Sequence, residues 1–555
     1  MWKLEGLPNT TFLALIAGAA LAAAAPRSSS YNASGSQPDY VIIGGGPAGF
    51  VLAEELSQNP RTTVVLLEAG PDTAGEEDID IPGYSPNLLY TQYMWNYTSQ
   101  PDPNLEGNAP TLEQGRGFGG GSAVNYLGAC RGAPSVFDEW ADISGDDGLR
   151  WENFLNDYKS TVHYQEVPLD YDPHINPSAY GDGPLELTAP LENLGIVLEL
   201  INSFISVLKL PWVDLNDGTG LGVATSTNVI RASNRTRDFA PQAFGWQLAG
   251  RPNAQQLSNA EVTKIGFKGT RAVSVTYVNP IDNSTNTLYP KEIIVSAGAL
   301  NSPKLLMLSG VGPGDHLRSL NIPVVADIPQ LGKNLRDHHC AFMSFEVTSQ
   351  VETLWQYTQN ATFAALAEEE YINNSSGPLS VPNGAAFAIY RAPDSVFEAV
   401  DDTFHTSLPA DRGQLLFQYS TSTFQATTPN VSIVSPFVGL VQPQDSGYML
   451  LASADYRDAP LVYSNYYGSA GDKAAILHGY KRIRELFSDP SITPLLMGTV
   501  ALGTVVEGKT WRIKGLDGIR VVDSSTFPYP PTCHPMATVY AYAQHAAQLI
   551  REQDR

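Results

Sequence analysis

Apolar and polar positions along the chain fall into three textures, each predicting a different kind of element. Near the start, Val41-Ile42-Ile43 and Val64-Val65-Leu66-Leu67 are unbroken apolar runs of strand length, which suits parallel strands buried on both faces. Between them, Gly44-Gly45-Gly46-Pro47-Ala48-Gly49 reads as a tight turn leading into a helix through Leu56. The same texture returns over residues 237–300, in Ala260-Glu261-Val262, in Ala272 to Val278, and in Glu292-Ile293-Ile294-Val295 running into Ala297-Gly298. Ala299 to Gly312 then predicts a loop, a short helix started near Ser302-Pro303, and a glycine stop. A second texture covers residues 151–224, where an amphipathic stretch (Trp151 to Tyr164) and an apolar one (Leu194 to Leu208) are separated by loops. The third runs from Ala341 to about Tyr467. It is alternating and aromatic, as in Gln414-Leu415-Leu416-Phe417-Gln418-Tyr419, and predicts an antiparallel sheet in a second domain. The chain closes with a strand at Ile519 to Asp523, a proline-rich loop through Pro531 and a helix from Pro535 to Arg551.

A chain of 555 residues has room for a large core and two or more domains. Lys+Arg 33 against Asp+Glu 57 leaves a net charge of -24, which argues against nucleic acid or an anionic membrane as partner. The N-terminus carries Lys3, an apolar run from Phe12 to Ala25 and small residues before Pro26-Arg27. That is the pattern of a signal peptide over residues 1–25, cleaved near Ala23 to Ala25. Glu5 departs from a positive leader, so an uncleaved anchor stays open as the alternative. Residues 26–37 read as a disordered lead-in. The sequons at Asn32, Asn96, Asn234, Asn283, Asn360, Asn373, Asn374 and Asn430 agree with a glycosylated protein that is secreted or resides in a secretory-pathway or vacuolar lumen. Cys130, Cys340 and Cys533 allow at most one intrachain disulfide, and no Cys/His spacing suggests a metal.

Candidate chemistry begins at the first turn. Gly44, Gly46 and Gly49 occupy the GxGxxG positions, which permit the turn, the approach of backbone to a pyrophosphate, and close packing of helix on strand. Amides at the helix N-terminus face the phosphates, where the helix dipole also favours negative charge. Glu68 follows at the distance where an acid takes ribose hydroxyls. This logic leaves NAD and FAD both open. Gly115 to Asn125, with Gly117, Gly119, Gly120 and Gly121, suits backbone passing hard against a flat or charged ligand.

Over essentially the whole mature chain these stretches resemble the glucose-methanol-choline (GMC) family of flavoprotein oxidoreductases. The resemblance rests on the N-terminal unit with Glu68, on Gly115 to Asn125 with Phe118 in place of the usual aliphatic, on Gly298 to Gly312, and on Val521-Val522-Asp523 through Cys533-His534-Pro535-Met536. It implies FAD and an α/β fold, with a doubly wound, Rossmann-like FAD-binding domain assembled from residues 38–150, 225–335 and 498–555. Residues 151–224 and 336–497 would build an α+β substrate domain on an antiparallel sheet. By position, Gly44, Gly46, Pro47, Ala48 and Gly49 would meet the pyrophosphate, Glu68 with Ala69 the adenosine ribose, and Val262 the adenine end. Gly119, Gly120, Ser122 and Asn125 would lie along the flavin, with Tyr126 and Leu127 lining or neighbouring its pocket, and Asp523, Pro535 and Met536 would hold it from the C-terminal side.

The family's chemistry implies oxidation of an alcohol. A base takes the hydroxyl proton while the carbinol carbon gives hydride to the flavin, with oxygen or a quinone as the final acceptor. His534 matches one of the two catalytic positions. The other, a His in an H-x-x-G-T motif, is missing: Leu495 stands three residues before Gly498-Thr499, and leucine takes no proton. Three accounts stand open. A segment has been lost by splicing or a shortened gene model; His534 is the sole base; or the flavin is structural and the pocket performs a non-redox ring closure or dehydration. His338 and His339, in Gly332-Lys333-Asn334-Leu335-Arg336-Asp337-His338-His339, read as structural, and His545 as a helix-face residue. Trp355, Tyr357, Phe387, Tyr390, Phe417 and Tyr419 favour an aromatic or polyketide-like alcohol over a sugar.

Overall fold

The computed structural model describes residues 37–191, 194–348, 350–422 and 432–496. In chain order, β1 (Tyr40–Ile43) turns into α1 (Pro47–Ser57) and returns as β2 (Val64–Leu67). A hairpin of β3 (Met94–Thr98) and β4 (Thr111–Gly115) leads to the one-turn helix α2 (Gly121–Val124). Next come β5 (Gly222–Thr225) and β6 (Ala254–Leu257). A meander of β7 (Glu261–Lys268), β8 (Arg271–Val278) and β9 (Thr285–Leu288) is followed by β10 (Glu292–Val295) and α3 (Gly298–Leu308). Later elements are β11 (Cys340–Phe342), β12 (Ala386–Tyr390), α4 (Thr403–Ser407), β13 (Leu415–Ser420), β14 (Ser432–Leu440) and α5 (Ala470–Leu486).

Two sheets organise these elements. The first is parallel, in the order β6-β2-β1-β10. Its alternation shows why the apolar runs are unbroken. Ile42, Val64 and Leu66 pack with Phe50 and Ala53 of α1, while Val41, Ile43, Val65, Leu67 and Leu257 face the meander and Leu305 of α3. Both faces are covered, as a doubly wound sheet requires, and each fully buried Ile or Phe side chain contributes about 1.5–3 kcal/mol. The second sheet is antiparallel, in the order β11-β14-β13-β12-β5, with Phe345–Val347 also pairing on β14. Helix α5 covers it through Ala475, Ile483 and Leu486.

Several expected elements shift. α3 begins at Gly298 rather than near Ser302-Pro303, so Pro303 lies inside it. The Gln114 carboxamide accounts for the earlier start: its oxygen accepts from Leu300 N (3.2 Å) and its nitrogen donates to the Ala297 carbonyl (2.8 Å), capping a first turn whose amides have no partner within the helix. The apolar stretch at 194–208 forms a helix at Val197–Ser203 that widens into a π-helix at Phe204–Leu208. The expected strand at Ile519 to Asp523 and helix from Pro535 lie outside the described residues. So do the lead-in as far as Ser36 and the third cysteine; among the described residues Cys130 and Cys340 have no disulfide partner. Among the described residues, no helix is long and apolar enough to cross a membrane. His339 is buried and stacks on Tyr466, with ring centroids 4.7 Å apart.

A buried charge cluster ties α4 to α5. His405 is fully buried, with Nδ1 3.0 Å from Asp402 Oδ1 and Nε2 3.3 Å from Asp472 Oδ1. Burial alone would lower the imidazole pKa, but the two carboxylates outweigh it and raise it above the usual 6.5. A raised folded value means that the stabilisation is complete below 6.5 and is lost as pH climbs through that raised value. Replacing His405 by Ala strands two buried carboxylates, at a cost of about 3–5 kcal/mol. Melting temperatures of wild type and His405→Ala should differ widely at pH 5 and converge at alkaline pH. A gap independent of pH would contradict this assignment.

Candidate cofactor site

The carboxyl ends of β1, β2 and β10 and the loop after β4 open onto one cavity of about 360 Å³. Glu68, just beyond the end of β2, fixes its geometry. The residue is 7% exposed, and its carboxylate accepts from three backbone amides: Gly45 N on Oε2 (2.8 Å), and Gly70 N and Gly117 N on Oε1 (both 2.9 Å). Burial pushes this carboxyl above the ordinary range, while the three amides and the charge of Arg116 pull it back. A carboxylate offers about four acceptor positions. Three are taken, and the remaining one, on Oε2, is available to a single ligand hydroxyl.

Around Glu68 the backbones crowd together. Gly44 has φ +109°, and a Cβ there would lie 2.3 Å from the Ser296 carbonyl oxygen at the end of β10. A Cβ on Gly49 would lie 2.0 Å from the Gly44 carbonyl oxygen, so Gly49 sets how closely α1 packs on its turn. The loop after β4 approaches from the other side. Gly119 N donates to Gly45 O (2.7 Å), and Phe118 is fully buried edge-on to Phe50, 5.5 Å between centroids.

Of the expected site residues, Gly44, Gly46, Pro47, Ala48, Glu68, Ala69, Gly120 and Val262 line the cavity. Gly49 and Gly119 sit behind that lining, in the packing just described. Ser122 Oγ donates to the Gly119 carbonyl, and Asn125 Oδ1 accepts from Leu127 N and from Arg237 Nη1 (2.7 Å). Tyr126 is 36% exposed, whereas Leu127 is buried in a cluster with Val162, Leu187 and Ile230. His534, Asp523, Pro535 and Met536 lie outside the described residues. Leu495 is not among the residues that line the cavity. It packs against the hydrophobic cluster of the antiparallel sheet, and its carbonyl accepts from Thr348 N.

Sequence reasoning missed other residues of the site. Arg237 is fully buried; besides Asn125 it donates from Nε to the Ile79 carbonyl (2.8 Å) and from Nη1 to the Ser122 carbonyl (3.2 Å). It thereby braces the loop that carries α2. Burial pulls its guanidinium down to about 9, opposed by Asp80, and leaves it cationic at neutral pH. Trp95, Gln114, Glu261, Asn301, Lys304 and Tyr456 also line the cavity. Asn301 and Lys304 stand one turn apart in α3, on the helix face that also carries Leu305 and Leu308, so their spacing alone did not mark them as site residues. Among the described residues no cluster suits a metal ion.

Comparison with known proteins agrees with this geometry. The family model described as GMC oxidoreductase matches residues 38–340, and its C-terminal counterpart matches residues 443–543. Pyranose dehydrogenase 3 of Leucoagaricus meleagris is 28% identical over 572 residues, covering 92% of this chain and 92% of its own. Patulin synthase of Aspergillus clavatus is 27% identical over 600 residues, covering 94% and 92%. An FAD-dependent oxidoreductase from Chaetomium thermophilum, of solved structure, superposes with a TM-score of 0.72 at 25% identity, covering 93% of this chain and all (100%) of that one.

The residues present fit such a dinucleotide. A Cβ on Gly46 would meet only Gly120 Cα at 3.9 Å, and one on Gly121 would meet nothing within 4 Å, so the space both leave is the cavity itself. The N-terminus of α1, a helix of 11 residues, opens beside it. Glu68→Gln sets an amide NH₂ against backbone donors. It should weaken FAD retention through gel filtration about tenfold or more and destabilise the fold by about 1–3 kcal/mol. Undiminished flavin content and an unchanged melting temperature would contradict the role given to Glu68.

Proposed function

The chain belongs to the GMC oxidoreductase family, and from that premise we propose that it oxidises a primary or secondary alcohol. Its cofactor is FAD, which when bound supplies the hydride acceptor. The observation that carries the reading is the convergence of the Gly44–Gly49 turn, the Gly115–Gly121 loop and the Ser296–Gly298 link from β10 to α3 on one cavity around Glu68. In this reading His534 takes the substrate hydroxyl proton, which raises electron density on the carbinol carbon. Arg237 and Asn125 hold the glycine loop in place, and Glu68 receives one ribose hydroxyl on its free Oε2 position.

Residues 38–150, 225–335 and 498–555 form the FAD-binding part in this proposal, and 151–224 with 336–497 the substrate part. All four parallel strands fall in the first set. An aromatic or polyketide-derived alcohol is favoured over a sugar. Phe387, Phe417 and Tyr419 are buried in hydrophobic clusters and Tyr357 and Tyr390 pack against such clusters, which leaves Trp355 to support that preference. Oxygen or a quinone is the electron acceptor. The protein is secreted, or resides in a secretory-pathway or vacuolar lumen, after loss of residues 1–25. The sequon residues Asn96, Asn234, Asn283, Asn360, Asn373 and Asn374 are all exposed, which supports glycosylation; Asn32 and Asn430 lie outside the described residues.

Leu495 favours a second reading. It fills the register of the missing base and is packed into a hydrophobic cluster, which suits a structural flavin in a pocket performing a non-redox ring closure or dehydration. Anaerobic mixing with a panel of primary and secondary alcohols separates the two. Bleaching of the flavin bands supports oxidation; product with an unchanged flavin spectrum supports the second reading. His534→Ala should lower the bleaching rate by about 10²–10⁴-fold with FAD still bound, and an unaltered rate would remove His534 from the mechanism. Peptide-N-glycosidase should lower the apparent mass of the chain produced in a fungal host, and an unchanged mass would count against export through the secretory pathway.

A further inference from the structure

We propose that Glu261, Lys304 and Asn301 read the edge of the adenine base of FAD, and so decide which dinucleotide this chain retains. Three observations place them at the base rather than at the phosphates. The first is the order of strand ends along the parallel sheet. β1 ends in the glycine turn, its neighbour β2 ends at Glu68, and β6, beyond β2, leads to Ala260, whose amide donates to the Glu68 carbonyl (2.7 Å). A dinucleotide with its phosphates at the turn and a ribose at Glu68 therefore has its base beside Glu261.

The second is unused hydrogen-bonding capacity. Asn301 Oδ1 is held by the Tyr97 hydroxyl (2.7 Å), while Asn301 Nδ2 is buried without a partner. Lys304 is 6% exposed, and among the described residues its ammonium has no hydrogen-bond or ion-pair partner, only the Tyr97 ring with its centroid at 5.9 Å. The Glu261 carboxylate has no such partner among the described residues either. Burial costs both ions: it lowers the Lys304 pKa against Glu261, Asp458 and Asp455, and raises that of Glu261 against Arg116 and Lys304. Each ion senses the other's field, yet they do not close into a contact pair. Buried polar groups with open valences are expected to meet a partner, and all three residues line the cavity.

The third is the chemistry of the set. A carboxylate beside an ammonium and a carboxamide is a poor seat for a phosphate, which Glu261 would repel. It matches an adenine edge, where an exocyclic amine donates to the carboxylate and ring nitrogens accept from the ammonium and the carboxamide. Leu305 and Leu308, on the same face of α3, give the ring an apolar wall.

Cofactor exchange on the full-length holoenzyme tests this. Protein is incubated with equal excesses of FAD and flavin hypoxanthine dinucleotide, in which a carbonyl replaces the amine and the adjoining ring nitrogen becomes an N–H donor, and the bound ratio is read by chromatography of the released flavins. Wild type should favour FAD by about tenfold, as expected for a hydrogen bond to a charged group. Glu261→Gln, whose amide can donate to the carbonyl, should bring the ratio close to equality, and Lys304→Met should narrow it. The ratio is taken within one sample, so a general loss of affinity cancels. Narrowing in either variant bears the proposal out. An unchanged ratio in both, or a wild type that takes the two dinucleotides equally, overturns it.

Discussion

One buried carboxylate holds the site together. Glu68 accepts from amides of the first turn, of its own strand end and of the loop after β4, at 2.8, 2.9 and 2.9 Å. Three backbone donors can reach one carboxylate only if their chains come nearly into contact. The glycines around it follow from that demand. A Cβ on Gly45 would press on the Glu68 and Phe118 side chains at 2.9 Å, and one on Gly70 would come within 2.4 Å of Gly117 N. A buried carboxylate without donors is costly, and so are three buried amides without an acceptor. Acid and glycines therefore stabilise each other, and the cavity is what remains between them.

That arrangement resolves an apparent conflict. A chain of net charge -24 holds a dinucleotide whose phosphates are themselves anionic. The whole-molecule field is screened within about 10 Å at ordinary ionic strength, so the local donors decide. At the glycine turn these are backbone amides and the N-terminal end of α1. Among the described residues that line the cavity, Lys304 is the cationic side chain, and it lines it together with Glu261.

Much of this was legible in the sequence. The apolar runs at 41–43 and 64–67 form adjacent parallel strands in register, and GxGxxG with Glu68 located the turn and the acid that line the cavity. The aromatic alternation expected to form one antiparallel sheet over residues 341–467 does so as far as Leu440, whereas Gly447–Leu450 and Leu461–Tyr463 pair in a separate three-stranded antiparallel sheet with Lys333–Leu335. What stayed hidden depends on contacts between distant segments. The Gln114 cap that starts α3 early comes from a hairpin 186 positions upstream of Leu300, and local propensity holds no trace of it. Arg237 carries no motif, because its role is set by the carbonyls it meets. Asn301 and Lys304 share a helix face with two leucines, so periodicity alone assigns them to a core. Leu127 follows the glycine loop in sequence, yet it turns into a separate core at φ +62°.

The most direct measurement is the visible absorption spectrum of the purified full chain, before and after incubation with FAD and removal of the excess. A Glu68-centred cavity that takes the whole dinucleotide predicts flavin bands corresponding to one FAD per chain. A folded protein that is colourless both before and after incubation would contradict the account.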